Sequence, residues 1–492
     1  MFYSNNMNTY IGIDLGTSSV KLLLVDANGK IINSVTHEYP IYYPQSGWSE
    51  QMPEDWLNAS LKGIKDLLKG FSNEDVKGLS FGGQMHGLVL LDEDDNVIRP
   101  AILWNDGRTQ TQTDYLNQVI GKENLSNYTA NIAFAGFTAP KILWVKENEP
   151  ENFARIAKIM LPKDYLAYKL TGVHSTDYSD ASGMLLLDVK NKIWSRKMCE
   201  ICSVKEEWLP KLFESYQVTG KVKEEYGLPN AIVTAGAGDN AAAAIGTGTI
   251  GDGDCNISLG TSGTVFISQD KFSVDDNNSL HSFAHATGNY HLMGCILSAA
   301  SCNKWWIEEV LQTKDYVGEQ GSLDDLLGEN DLYFLPYLMG ERSPHNDVNA
   351  RGCFIGLRPN TTRKQMTLSI MEGVAFALRD CVEVAKSKGL KIIATKICGG
   401  GAKSDIWKKI IANVFGIPVY TPNVEEGPAY GATILAMVGA NEYGSVTQVV
   451  NKIIKEKSVI LPSDSLIDKY ERKYCCFKKL YPSLASVFKD LK

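Results

Sequence analysis

Long apolar runs are missing from this chain of 492 residues. Nothing approaches the roughly 18 consecutive apolar residues that mark a membrane-spanning helix, and the opening MFYSNNMNTY has no basic stretch leading into an apolar one. A cytoplasmic protein is expected. A surplus of basic charge is missing too: 49 Lys and Arg face 57 Asp and Glu, a formal net charge of −8. Phosphate-backbone binding needs a basic surface, so nucleic acid is excluded as a main partner, while a nucleotide needs only a local cluster of donors. A disulfide framework is also absent, because ten cysteines scattered over so long a chain suit a reducing compartment. Cys199 and Cys202 form a lone C-x-x-C without a second pair at zinc spacing, and read as two thiols on a helix. No G-x-x-x-x-G-K-[ST] phosphate loop occurs. Gly246, Gly248 and Gly251 make a G-x-G-x-x-G, but it follows an alanine-rich helix rather than a strand, so a dinucleotide turn is excluded.

What is present begins with an ordinary globular composition, 44% hydrophobic and 22% charged. At about 150 residues per domain, the length allows two or three domains. Leu-Gly-Thr-Ser occurs twice, at Leu15–Ser18 and at Leu259–Ser262, 244 residues apart. Each copy joins two apolar, β-branched runs, which reads as a hairpin whose tip presents N–H groups and hydroxyls to an anion. Two such tips half a chain apart indicate duplicated domains facing each other across a phosphate-binding cleft. Strands and helices alternate throughout, which favours an α/β architecture. The expected layout is a tail over 1–9, a first domain over 10–250 and a second over 251–492, with the glycine-rich GTGTIGDGD at the join. Helices are expected over 53–69, 365–386, 404–415, 429–438 and 466–477. Val76–Phe81 reads as a strand broken by Gly82-Gly83.

Each candidate site residue has two readings. Asp14 ends a strand beside Thr17, Ser18 and Lys21, where a carboxylate near phosphate donors suits Mg²⁺, which prefers oxygen ligands; it could equally cap a turn. Asp239-Asn240 opens an alanine-rich helix, so Asp239 is either a helix cap or a general base able to reach a substrate hydroxyl. The loops Gln84-Met85-His86-Gly87 and Trp104-Asn105-Asp106-Gly107-Arg108 are dense in hydrogen-bonding groups, as a polyol site or a structural network would be. Gly399-Gly400-Gly401 either lets a ligand approach the backbone or makes a tight turn. Small residues at Gly427–Ala432 echo it and suit a flat adenine ring.

Taken together these segments resemble the FGGY family of carbohydrate kinases over nearly the whole chain, Tyr10 to about Tyr481. GFTAPKILWVKEN (136–148) and GCFIGLRPNTTRKQMTLSIMEG (352–373) look like its two signatures. GQMHG (83–87), AILWNDGR (101–108), LPKDYL (161–166), GDNAA (238–242), LPYLMGERSPHN (335–346) and GGGAKS (399–404) stand collinear with them. The resemblance implies two related actin-like, hexokinase-like (ribonuclease H-like) ATPase domains with an interdomain cleft. It implies transfer of a phosphoryl group from ATP, with Mg²⁺, to a small sugar, and QMHG with WNDGR point to D-xylulose and its 5-hydroxyl. By the same resemblance Met85, His86, Asp239, Asn240 and Trp104 bind the sugar, Asp239 is also the base, and Asp14 organises the metal through water. Thr17, Ser18, Lys21, Gly260 and Thr261 hold phosphates, and Gly400, Gly401 and Asp405 meet the nucleotide, although Asp405 stands where many relatives place Asn. Another ketose or polyol, or a non-catalytic actin-fold nucleotide-binding module, are the alternatives. A homodimer is allowed, with no membrane or nucleic-acid partner expected.

Overall fold

The computed structural model describes residues 7–424 and 426–491. The chain forms two compact units. The first comprises Met1–Ile250, Ser282–Tyr290 and Glu426–Ile454, and the second Gly251–His281, His291–Glu425 and Lys455–Lys492. The first unit thus takes back two segments from the second half of the sequence. The tail expected over 1–9 falls largely on residues 1–6, outside the described residues, and Thr9 already starts a strand.

In the first unit, β1 (Thr9–Leu15), β2 (Ser19–Asp26) and β3 (Ile31–Glu38) form an antiparallel meander. Helix α1 (Pro53–Leu67) follows, with Pro53 at its first turn and Trp56, Ile64 and Leu67 buried. Strand β4 (Val76–Gly83) pairs in parallel with β1. After helices α2 (Thr138–Asn148) and α3 (Pro162–Thr171) come β5 (Val218–Lys221), β6 (Ile232–Thr234), β7 (Ala237–Gly238) and α4 (Asp239–Thr247). The sheet runs β5-β6-β4-β1-β2-β3, with β7 also on β4. Contrary to expectation, Gly82 and Gly83 do not break β4. They extend it, and the space a side chain would occupy is taken by Ala242 and Pro428 at Gly82 and by the Lys163 stem at Gly83.

The second unit repeats the theme. Strands β8 (Cys255–Leu259) and β9 (Gly263–Gln269) form the second hairpin, and β10 (Tyr290–Ile296) lies beside β9. Helix α5 (Arg363–Ser387) begins with a capping box, Gln365 N–H on Thr362 Oγ1 at 3.3 Å and Thr362 N–H on Gln365 Oε1 at 2.8 Å. Strand β11 (Thr395–Cys398) pairs in parallel with β8, α6 (Asp405–Phe415) is capped by Ser404, and β12 (Val419–Pro422) continues the sheet. Helix α7 (Gly427–Gly439) then returns to the first unit, after which β13 (Glu456–Ile460) and α8 (Asp464–Asp490) complete the second. Helix α8 runs well beyond Phe477, through Pro482, and sets Tyr470, Tyr474, Phe477 and Phe488 into the second unit's core.

Helix α7 corrects one expectation. Its small residues serve helix packing rather than an adenine ring: a Cβ at Gly431 would lie 1.8 Å from the Ala242 carbonyl oxygen, and one at Gly246 would lie 2.1 Å from that of Gly427. Among the described residues no helix is long and apolar enough to cross a membrane. Cys199 and Cys202 sit buried on one short helix, their thiols pushed up by burial to about 11 and about 12.

Candidate active site

The first Leu-Gly-Thr-Ser tip is held from beneath. Gln51 Nε2 donates to the Thr17 carbonyl at 2.6 Å, and its Oε1 accepts from Trp56 and Gln84, each at 3.0 Å. The Gln84 N–H reaches the Leu15 carbonyl at 2.8 Å, and the Tyr39 hydroxyl caps that of Gly16. Backbone acceptors at the tip are therefore spent on the protein. Ser18 is exposed. Thr17 Oγ1 accepts from the Trp104 indole at 3.0 Å, so its own O–H can donate elsewhere. Trp104, expected at the sugar, directs its one polar group to the phosphate hairpin.

The Lys21 ammonium is ion-paired with Glu426. It lies opposite Asp14 across β1 and β2. Burial raises the Asp14 carboxyl to about 7, and the charge of Asp239 reinforces this while Lys21 opposes it. Two half-buried carboxylates that repel one another fit a divalent cation. Among the described residues no three His, Cys, Asp or Glu side chains form a metal cage. Mg²⁺ needs none, since it keeps waters and takes one or two carboxylates along with substrate phosphates.

The acceptor side is built at the ends of β4 and β7. Met85 is buried and His86 adopts a left-handed backbone, φ 71°, which a non-glycine residue holds only when its surroundings enforce it. They are enforced here. The His86 ring stacks on Phe137 with centroids 4.6 Å apart, and its carbonyl accepts from Thr138 Oγ1 at 3.1 Å and Lys141 Nζ at 2.9 Å. His86 Nδ1 lies 2.8 Å from the Gly183 carbonyl, which can only accept, so Nδ1 carries a proton. Gly238 packs on Met85, with its missing Cβ 3.0 Å from Cγ and Sδ. Asp239 follows at the first turn of α4, where Gly238 rather than Asp239 is the N-cap. The Asp239 Oδ1 accepts from the backbone N–H of Asn240 at 2.7 Å and from its side chain at 3.0 Å. Burial raises the carboxyl to about 6. Met85, His86, Asp239 and Asn240 are therefore drawn together, as their resemblance implied.

Of the WNDGR loop, Asp106 and Arg108 belong to a buried structural network. Asp106 accepts from Ser49 N–H at 2.6 Å and from Arg108, whose guanidinium lies 3.7 Å from the Trp48 ring centre and pairs with Glu50 at 2.8 Å. Two lysines escaped the reading of the sequence. Lys141 is buried, and that burial lowers its amine to about 7; Lys163 lies directly behind the end of β4. Both stand inside quoted motifs, and a lysine within an apolar helix stretch was the available signal.

In the second unit a cavity of about 540 Å³ is lined by Thr261, Ser301, Gln320, Gly400, Gly401 and Trp407, among others. The Thr261 carbonyl is anchored by Ala299 N–H at 2.9 Å and Ser301 Oγ at 2.7 Å. Gly399 is left-handed, φ 89°, and pressed on Leu259, whereas a Cβ on Gly400 would meet nothing within 4 Å. Gly400 is thus a glycine that the protein's own packing does not require, facing a concave space. Asp405 follows Ser404 of this lining, and is exposed and paired with Lys408 at 2.7 Å. The two hairpins also differ, since Leu15 pairs with Val20 but Leu259 with Gly263, leaving one more residue in the first tip.

Comparison with known proteins agrees with this geometry. The N-terminal domain of the FGGY family of carbohydrate kinases matches residues 9–246, and the C-terminal domain matches 255–440. A xylulose kinase of Escherichia coli (strain K12) is 38% identical over 483 residues, covering 96% of this chain and 99% of that protein. A crystal structure of a xyloylose kinase from Brucella ovis superposes with a TM-score of 0.93 at 36% identity, covering 98% of this chain and 100% of that one. A gluconate kinase structure from Lactobacillus acidophilus has the same TM-score, 0.93, at 26% identity, covering 99% of this chain and 100% of that one. The two family domains together span most of the sequence, and the chain belongs to the FGGY family of carbohydrate kinases.

Proposed function

We propose that the protein transfers the γ-phosphoryl of ATP to the 5-hydroxyl of D-xylulose, giving D-xylulose 5-phosphate and ADP. The observation that carries this reading is the junction of Met85, His86, Asp239 and Asn240, supported by the xylulose kinases among its relatives. His86 contacts one sugar hydroxyl and Asn240 another. Asp239 takes the 5-hydroxyl proton as the new O–P bond forms and the bond from phosphorus to the β,γ-bridging oxygen breaks. The nucleotide is held in the second unit's cavity, with its base near Trp407 and its phosphates toward Gly260, Thr261 and Gly400. Thr17 and Ser18 supply donors from the first hairpin. Phosphoryl transfer depends mainly on positioning and charge neutralisation, so these donors outweigh the base.

Asp14 would hold Mg²⁺ through water. When bound, the ion neutralises charge on the phosphates. The cytoplasm is the compartment that goes with an ATP-dependent sugar kinase, and a homodimer is allowed, to be checked by light scattering.

An ADP-release assay over D-xylulose, L-ribulose, L-xylulose, glycerol and gluconate tests the substrate. D-Xylulose should give the highest kcat/KM. A preference for gluconate, the substrate named for a structural relative at equal TM-score, would replace xylulose as the acceptor.

A further inference from the structure

LPKDYL places a fully buried, multiply paired lysine against the segment that leads to Asp239. Lys163 and the carboxylates of Asp164, Asp177 and Asp180 are all buried. The ammonium lies 2.7 Å from Asp164, 2.9 Å from Asp177 and 3.6 Å from Asp180. One cation among three carboxylates is a costly arrangement for stability alone, since a buried ion pair seldom improves on apolar packing. Burial, reinforced by the neighbouring carboxylates including Asp239, pushes Asp180 well above the usual range, which relieves part of that excess.

Several connections of this cluster run to the segment that delivers Asp239. Lys163 Nζ donates to the Ala235 carbonyl at 3.2 Å. Asp177 Oδ2 accepts from Ser215 Oγ at 2.8 Å, and from Ser179 through both its N–H at 2.9 Å and its Oγ at 2.5 Å. With its proton committed to Asp177, Ser179 Oγ is an acceptor, and it receives the N–H of Gly238 at 3.2 Å. Ala235 N–H and Gly236 N–H are anchored in turn on the Gln217 and Ser215 carbonyls, each at 3.0 Å. The stem of Lys163 also fills the space beside Gly83, at the end of the strand that leads to Met85 and His86.

We infer that Lys163 and Ser179 are positioning residues, joined through Asp177, that fix the 235–238 segment so that the Asp239 carboxylate is aimed at the acceptor hydroxyl. Lys163 does this by gripping a carbonyl and orienting Asp177, and Ser179 by relaying that orientation to the peptide immediately before the base. The inference rests on the reading of Asp239 as the base. A small error of aim there costs rate rather than affinity, because the sugar's other contacts are unchanged.

The test is a double-mutant cycle on the full chain, with steady-state kinetics for D-xylulose and ATP and a thermal melt of each variant. Ser179→Ala should lower kcat about tenfold with KM for both substrates within about twofold, and Lys163→Met should lower it further. In an Asp239→Asn background, Ser179→Ala should have almost no further effect, because what it aimed is gone. An equal fall in both backgrounds, a wild-type kcat for Ser179→Ala, or a rise in both KM values at unchanged kcat would overturn the positioning role. If Lys163→Met fails to fold, the Ser179 cycle still decides. Failure of the base assignment shows separately, as Asp239→Asn turning over like the wild type.

Discussion

Asp239 carries opposite demands of chemistry and stability. Its carboxyl is raised to about 6 by burial, with only the Asn240 N–H working against the rise. A base must be ionised, so kcat/KM for xylulose should fall about tenfold per pH unit below about 6 and level off above it. Asp239→Asn should lower kcat at least a hundredfold with xylulose binding largely kept, read from initial rates and sugar titration. The same carboxyl lies about two units above its unfolded value, so in ionised form it costs about 3 kcal/mol. That cost is full above about pH 6, shrinks as pH falls through the folded value and vanishes below about 4. Asp239→Asn should therefore raise the melting midpoint at pH 8 and not at pH 4. Trp104 gives a second residue-scale test. Trp104→Phe keeps a ring but loses the donor to Thr17 Oγ1, worth about 1 kcal/mol, or about fivefold. The loss should appear in kcat or in KM for ATP, while KM for xylulose stays within about twofold; a change confined to xylulose would return Trp104 to the sugar.

At the scale of elements, two glycines separate packing from binding. Gly431 on α7 meets the Ala242 carbonyl of α4 so closely that a methyl would overlap it, whereas Gly400 faces open space. Gly431→Ala should lower the urea midpoint by the equivalent of about 2 kcal/mol or more, the scale of overpacking. Gly400→Ala should leave the midpoint unchanged and raise KM for ATP several-fold. Helix and strand identities were legible where apolar periodicity spelled them out, as at Pro53–Leu67. Gly82-Gly83 misled because glycine marks a break and a close approach with the same letter, and only the neighbours on α4, α7 and α3 tell them apart.

The whole molecule is less divisible than its sequence. The 426–454 segment belongs to the first unit, where α7 meets the sheet at Gly12, Gly78 and Gly82, positions that leave room for a helix backbone. A fragment ending at Ile250 lacks that helix and exposes the sheet face it covers. It should bind a hydrophobic dye and melt without a cooperative transition, and a sharp melt with a native-like circular dichroism spectrum would contradict this account. The sequence by itself determined the α/β class, the duplicated hairpins, the family and the residue types of the chemistry, because these rest on local patterns and collinear motifs. Tertiary structure alone decided that the Trp104 indole donates to Thr17, that Lys21 pairs with Glu426, that Asp106 and Arg108 share a buried network, and that Lys163 grips the Ala235 carbonyl. The physical reason is distance along the chain: each of these outcomes depends on which distant group reaches a side chain first, or on how deeply folding buries it.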